Sequence, residues 1–237
     1  MSGIFKSICK TYFKEFLVGR LWEGVVHNIN SPLQIASMNL EILKMQKDSG
    51  SAFPEPIWER VKQITDSIDR IQHITNVLVK RKEFGDSGPT AVILEEIIRN
   101  ELEFWIADLF FKHNIKKELD LGERDSVVVV DAPILIDLID AVFALQISMM
   151  KLSEEVDLRF SIRKKETQGG DTISLTFERS GPPYDVGPSG IECPDGQDQD
   201  FFRLCNEVLF DTASKIGCKV DVSNASIVLS LPKSPRS

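Results

Sequence analysis

A histidine at position 27 stands five residues before Pro32, inside a stretch that reads Gly24-Val25-Val26-His27-Asn28-Ile29-Asn30-Ser31-Pro32-Leu33. An imidazole with an ordinary pKa near 6.5 is largely neutral at neutral pH and can act there as a nucleophile. The residues that share its face on a helix are Arg20, Glu23, Gly24, Asn30, Ser31 and Gln34, so that face is small and polar. A ring placed there meets water and partners. The other two histidines carry less: His73 lies beside the apolar seam of a second helix, and His113 ends a helix, where partial positive charge is favourable. Both read as structural. Cys9, Cys193, Cys205 and Cys218 are scattered without the paired spacing of a zinc site and read as reduced thiols in a cytoplasm.

His27 needs a helix to hold it. Trp22, Val26, Ile29, Leu33, Ala36, Leu40 and Leu43 recur in steps of four and three, the seam of a coiled coil or helix bundle, and His27 lies off that seam. Pro32 has no N–H for the carbonyl of Asn28 and crowds it, so the helix is expected to kink or loosen beside the histidine. The helix should run over residues 4–47, and residues 48–56, dense in Gly, Ser and Pro, should end it. A second helix starts near Ile57 with the seam Ile57, Val61, Ile64, Ile68, Ile71, Thr75 and Leu78. Two antiparallel helices cannot bury both seams, and a four-helix bundle made by two copies is the simplest remedy. Residues 1–20 mix Lys6, Lys10, Lys14 and Arg20 with Phe5, Ile8, Tyr12, Phe13 and Phe16. They read as a membrane-surface helix or, preferably, as an extension of the bundle packed on its dimer mate.

The stretch around His27 resembles the phosphoacceptor box of bacterial sensor histidine kinases, through Gly24, His27, Ile29, Asn30, Ser31, Pro32 and Leu33. It departs at Asn28, where such kinases carry an acidic residue that helps take the histidine's proton. That departure speaks against autophosphorylation.

Residues 83–89 hold Gly85, Gly88 and Pro89 and read as a linker, dividing the chain into a hairpin over residues 1–84 and a second domain over residues 90–237. The second part reads as a helix over residues 92–111, strands at 115–121 and 126–130, and a helix at 132–151. A hairpin around Gly169-Gly170, a helix at 201–216 closed by Gly217, and strands at 219–222 and 226–231 follow. The fold class is α+β, with a sheet covered on one face by helices. This order resembles the ATPase domain of histidine kinases. The resemblance implies asparagines on the helix at 132–151, yet that helix has none, and the corresponding positions hold Ala141 and Leu145. An adenine loop with Asp and two glycines is implied where Arg179-Ser180-Gly181-Pro182-Pro183 stands. A glycine-rich lid is implied where Asp195, Asp198 and Asp200 stand, and these acids would repel a triphosphate. The plain reading of the first stretch is a surface turn and of the second a solvated loop. No nucleotide or metal is expected to bind.

With 237 residues, 42% of them hydrophobic, and a formal charge of −8, the chain reads as a soluble globular protein that does not bind nucleic acid non-specifically. The apolar segment at 132–150 is interrupted by Asp137 and Asp140 and reads as a core helix, not a membrane span. What the resemblance implies is a cytoplasmic homodimeric phosphorelay histidine phosphotransferase. It takes a phosphoryl group on His27 from one receiver-domain aspartate and gives it to another, with Asn30, Ser31, Gln34 and Arg20 in support. Its partners are response-regulator receiver domains or a hybrid histidine kinase, and Mg2+ is expected in the receiver. The rival reading is a non-catalytic dimeric pseudokinase that binds and regulates a kinase or response regulator.

Overall fold

The structure, a computed structural model, describes residues 3–48, 57–83, 88–167, 171–187, 190–194 and 198–233. Two long helices, α1 (Gly3–Asp48) and α2 (Ile57–Glu83), pack along one another. The breaker-rich residues 49–56 and the linker residues 84–87 lie outside the described residues. Helix α1 continues through Pro32, so the proline removes one hydrogen bond without ending the helix.

The α/β part begins with β1 (Thr90–Ile93) and α3 (Leu94–Trp105), and then α4 (Leu109–Asn114), β2 (Ile115–Asp120), β3 (Val127–Val130) and α5 (Ala132–Met150). It ends with β4 (Leu158–Glu166), β5 (Thr172–Arg179), β6 (Val186–Gly187), β7 (Gly190–Ile191), α6 (Gln199–Lys215), β8 (Lys219–Ser223) and β9 (Ser226–Pro232). The single helix expected over residues 92–111 is therefore two. They break because Asp108 accepts from Phe111 N at 2.9 Å and starts a new helix. The main sheet has the order β2-β4-β5-β9-β8, with β2 and β4 parallel and the remaining pairs antiparallel. Alternate residues of β5 and β9 are buried, which gives the sheet one inner face. Helices α5 and α6 pack together against it, and Phe143 meets Phe160 at 5.1 Å and Phe177 at 6.1 Å in the core. The architecture is the expected α+β one, a helical pair followed by a sheet-containing α/β part. Helix α5, the one helix among the described residues long and apolar enough to cross a membrane, is buried here as a core helix.

Residues 13–21 of α1 face the α/β part. Phe13, Leu17 and Leu21 are buried, and Phe16 stacks on Phe201 of α6 with ring centroids 4.7 Å apart. Lys14 reaches Asp137 of α5 at 3.2 Å. The stripe of Phe13, Leu17 and Leu21 finds cover on the chain's own α/β part. At the same end of the hairpin, Arg81 in the last turn of α2 donates to Asp140 and to Glu101, and its guanidinium lies 3.8 Å from the ring centroid of Phe104. Trp105 Nε1 completes the cluster, donating to Asp140 at 2.9 Å. One arginine cannot neutralise two carboxylates taken out of water, and burial pushes both Glu101 and Asp140 above their ordinary values.

Candidate functional site

His27 is exposed on α1, with Glu23, Asn30 and Gln34 also exposed and Ser31 half-buried beside it. The side chain of Arg20 is not among those described. Two neighbours in the same box turn the other way. Helical spacing puts Gly24 on the open face with His27, but it is buried against the corner between α3 and α4. A Cβ added to Gly24 would fall on the carbonyl of Ala107, so only a glycine lets the helix come this close. One turn later Asn28, 7% exposed, donates to the carbonyl of Ile106 at 3.4 Å and accepts from Lys112 Nζ. Pro32 is buried as well. The box thus has two sides: an open one with the histidine, and a closed one that seats the α/β part.

Asn28 and Val25 also line a cavity of about 220 Å3 between the hairpin and the end of α3. Arg70, His73, Ile74 and Phe104 form part of its wall. His73 Nε2 lies 3.3 Å from Glu103, a contact between α2 and α3, and His113 sits exposed in the last turn of α4. Lys117 Nζ donates to the carbonyl of Lys112 at 2.8 Å, which brings a third cation to the same region as Lys112 and Arg70.

The residues that the resemblance sets against a nucleotide and its metal have other partners here. Ala141 and Leu145 are fully buried on either side of Phe143, inside the core of α5. The acids of α5 are turned to the hairpin, Asp137 to Lys14 and Asp140 to Arg81. In the stretch that resembles an adenine loop, Arg179 is 4% exposed and its guanidinium lies 4.6 Å from the ring centroid of buried Tyr184. Its Nη1 donates to the carbonyl of Ser180 at 3.3 Å, while Ser180 Oγ accepts from Arg159 N at 2.8 Å. Burial lowers the pKa of this guanidinium and raises that of the Tyr184 phenol. The stretch is not the plain surface turn expected: its first residue is part of the core, and Gly181, at φ 103°, makes the turn after it. Asp198, expected in a solvated loop, accepts from Phe201 N at 3.0 Å and caps α6, and residues 195–197 lie outside the described ones. No group of three His, Cys, Asp or Glu among the described residues is placed to hold a metal ion.

Asn28, Lys112 and Arg70 escape the sequence reading as a group. The signal is present in the small residue Gly24 four positions before Asn28, a spacing that makes one narrow helix face. The partner of that face, in α4, cannot be read from it.

No protein-family model matches the sequence, and no curated protein does. The similar solved structures include histidine kinases and catalytic domains of histidine kinases. The histidine kinase AdeS of Acinetobacter baumannii shares 14% identity, with 89% of this chain and 98% of that one covered and a TM-score of 0.43. The histidine kinase ThkA, solved in complex with the response regulator protein TrrA, shares 18% over 99% of this chain and 68% of that one, TM-score 0.42. A bacterial phosphotransferase shares 13% over 90% and 94% of the two chains, TM-score 0.38. Each is a likeness in the general course of the chain alone.

Proposed function

We propose that the chain is a phosphorelay histidine phosphotransferase that accepts a phosphoryl group on His27 from a receiver-domain aspartate and passes it to another receiver. The observation that carries this reading is the pairing of an exposed His27 with a nucleotide region closed by its own side chains, Ala141 and Leu145 in the core and Arg179 against Tyr184. On this reading the chain keeps an acceptor without an ATP site of its own, and its phosphate comes from another protein. Phosphoryl transfer asks mainly for in-line positioning and charge neutralisation, and a neutral imidazole supplies the nucleophile. Asn30, Ser31 and Gln34 are neutral hydrogen-bonding neighbours of the ring, and Arg20 is on the same helix. The receiver brings the Mg2+ that its aspartyl phosphate requires.

The working form is a cytoplasmic homodimer. Trp22, Leu33 and Leu40 of the α1 seam and Val61 and Ile68 of α2 are exposed, an apolar surface that a second hairpin would cover.

The experiment is label transfer from a panel of phosphorylated receivers to the purified protein and to His27→Gln. Label on wild type alone supports the reading. Label on neither protein, with binding to a receiver intact, favours a pseudokinase that acts by contact.

A further inference from the structure

The cavity between the hairpin and the end of α3 takes one wall from the spacing of α2. His73, Ile74 and Val77 follow Arg70 by three, four and seven residues, so all four share one helix face, and that face lines the cavity. Val25 of α1, Phe104 of α3 and Ala107 just after it close the other sides. Val25, Val77, Phe104 and Ala107 are buried, whereas Arg70, His73 and Glu103 are exposed. The apolar residues thus form the bottom, and the charged and polar ones stand where the cavity meets water. Asn28 is also in the wall, but its amide is occupied, donating to the Ile106 carbonyl and accepting from Lys112 Nζ. An apolar cavity of about 150 Å3 stays dry and takes a benzene ring. At about 220 Å3 this one has room for such a ring and a short tail.

The charges at the opening select the tail. Glu103, the carboxylate in the wall, lies 3.3 Å from His73 Nε2. Arg70 has no carboxylate partner among the described residues, and Lys112, hydrogen-bonded to Asn28, adds positive charge next to the wall. A guanidinium at the edge of an apolar cavity suits a carboxylate, which it can bind through two parallel hydrogen bonds.

We propose that this cavity binds a small aromatic carboxylate, its ring against Val25, Val77 and Phe104 and its carboxylate on Arg70, and that occupancy holds the hairpin against the α/β part. The walls come from α1 and α2 on one side and from α3 on the other, so a ligand that fits only the joined form stabilises it by mass action. The site does not require that His27 accept a phosphoryl group.

The probes are phenylacetate, its neutral analogue phenylacetamide, and acetate, followed by NMR through the backbone amides of residues 103–107 in wild type, Arg70→Gln and Ile74→Trp. Phenylacetate is expected to shift these signals with a dissociation constant of about 1 mM, and acetate at the same concentrations to leave them in place. Arg70→Gln should weaken phenylacetate about tenfold, the effect of one charge at partial screening, and leave phenylacetamide at its wild-type affinity. The larger side chain of Ile74→Trp should fill the cavity and abolish binding of both. Saturating phenylacetate should slow exchange of the Ala107 amide, which donates to the Phe104 carbonyl at 3.0 Å. Absence of shifts, or equal shifts with acetate or in Ile74→Trp, overturns the site. Equal phenylacetate affinity in Arg70→Gln overturns the choice of an anion, and unchanged Ala107 exchange overturns the role at the junction. If Ile74→Trp unfolds, Arg70→Gln decides, because Arg70 is exposed and its replacement leaves the packing intact.

Discussion

Arg81 and Asp140 lie 59 residues apart in sequence and form a hydrogen-bonded ion pair that fastens the end of α2 to the middle of α5. The pair is expensive to break from one side only. Replacing Arg81 with Met leaves Asp140 and Glu101 buried without a counter-charge and should cost about 3–5 kcal/mol. Urea unfolding of Arg81→Met measures that loss. Adding Glu101→Gln and Asp140→Asn to the same chain should recover most of it.

Gly24→Ala inserts a methyl group against the Ala107 carbonyl. Backbone cannot rotate away as a side chain can, so the junction must open, with a cost of about 1–3 kcal/mol. Faster amide exchange over residues 106–112, with exchange in the main sheet unchanged, is the expected signature. Unchanged exchange at that corner would show that the contact yields without strain.

Two buried carboxylates make stability depend on pH in opposite senses. Burial raises the pKa of Glu101 from its ordinary 4.5, so the stability it contributes is greatest below that value and is lost as pH rises through the folded one. Glu95 is also buried, but hydrogen bonds from Lys164 and from Ser126 N, at 2.8 Å for the latter, hold it below 4.5. Its contribution is present above 4.5 and is lost as pH falls through the folded value. Glu101→Gln should therefore flatten the alkaline side of the stability profile and leave the acid side alone. Lys164→Met should do the reverse, and denaturation series across pH would separate the two.

Leu33, 51% exposed, and Ile68, 52% exposed, are the residues to test for self-association. Leu33→Glu or Ile68→Glu should weaken a dimer by about 2 kcal/mol, roughly thirtyfold in dissociation constant. Sedimentation at several concentrations reads this directly. A wild-type chain that remains monomeric at high concentration removes the homodimer.

The long helices are legible in the sequence because their seams repeat over many turns. What periodicity cannot state is the partner of a face. Phe13, Leu17 and Leu21 announce burial but not that α6 of the same chain supplies it. The break at Asp108 is readable as a capping acid before Leu109, yet the apolar run on both sides conceals it. Arg81 sits between Lys80 and Lys82, where a basic helix end needs no buried partner to make sense. Lys112 and Asn28 lie 84 residues apart, and their types alone give no reason to pair them. At the candidate site the histidine is legible from its box, whereas the second wall depends on a tertiary contact. The residues at Ala141 and Leu145 are visible in the sequence, and the structure adds that both belong to the core.

The stacking of Phe16 on Phe201 joins the first helix to one of the last elements of the chain. During synthesis the hairpin emerges early and can form its local helical contacts within a short stretch of sequence. The face bearing Phe13, Leu17 and Leu21 lacks the part of its cover that α6 supplies until α6 has left the ribosome. For that interval the newborn chain shows an apolar stripe to the cell. Truncation before α6 should thus give a product that chaperones retain, although its two helices are complete.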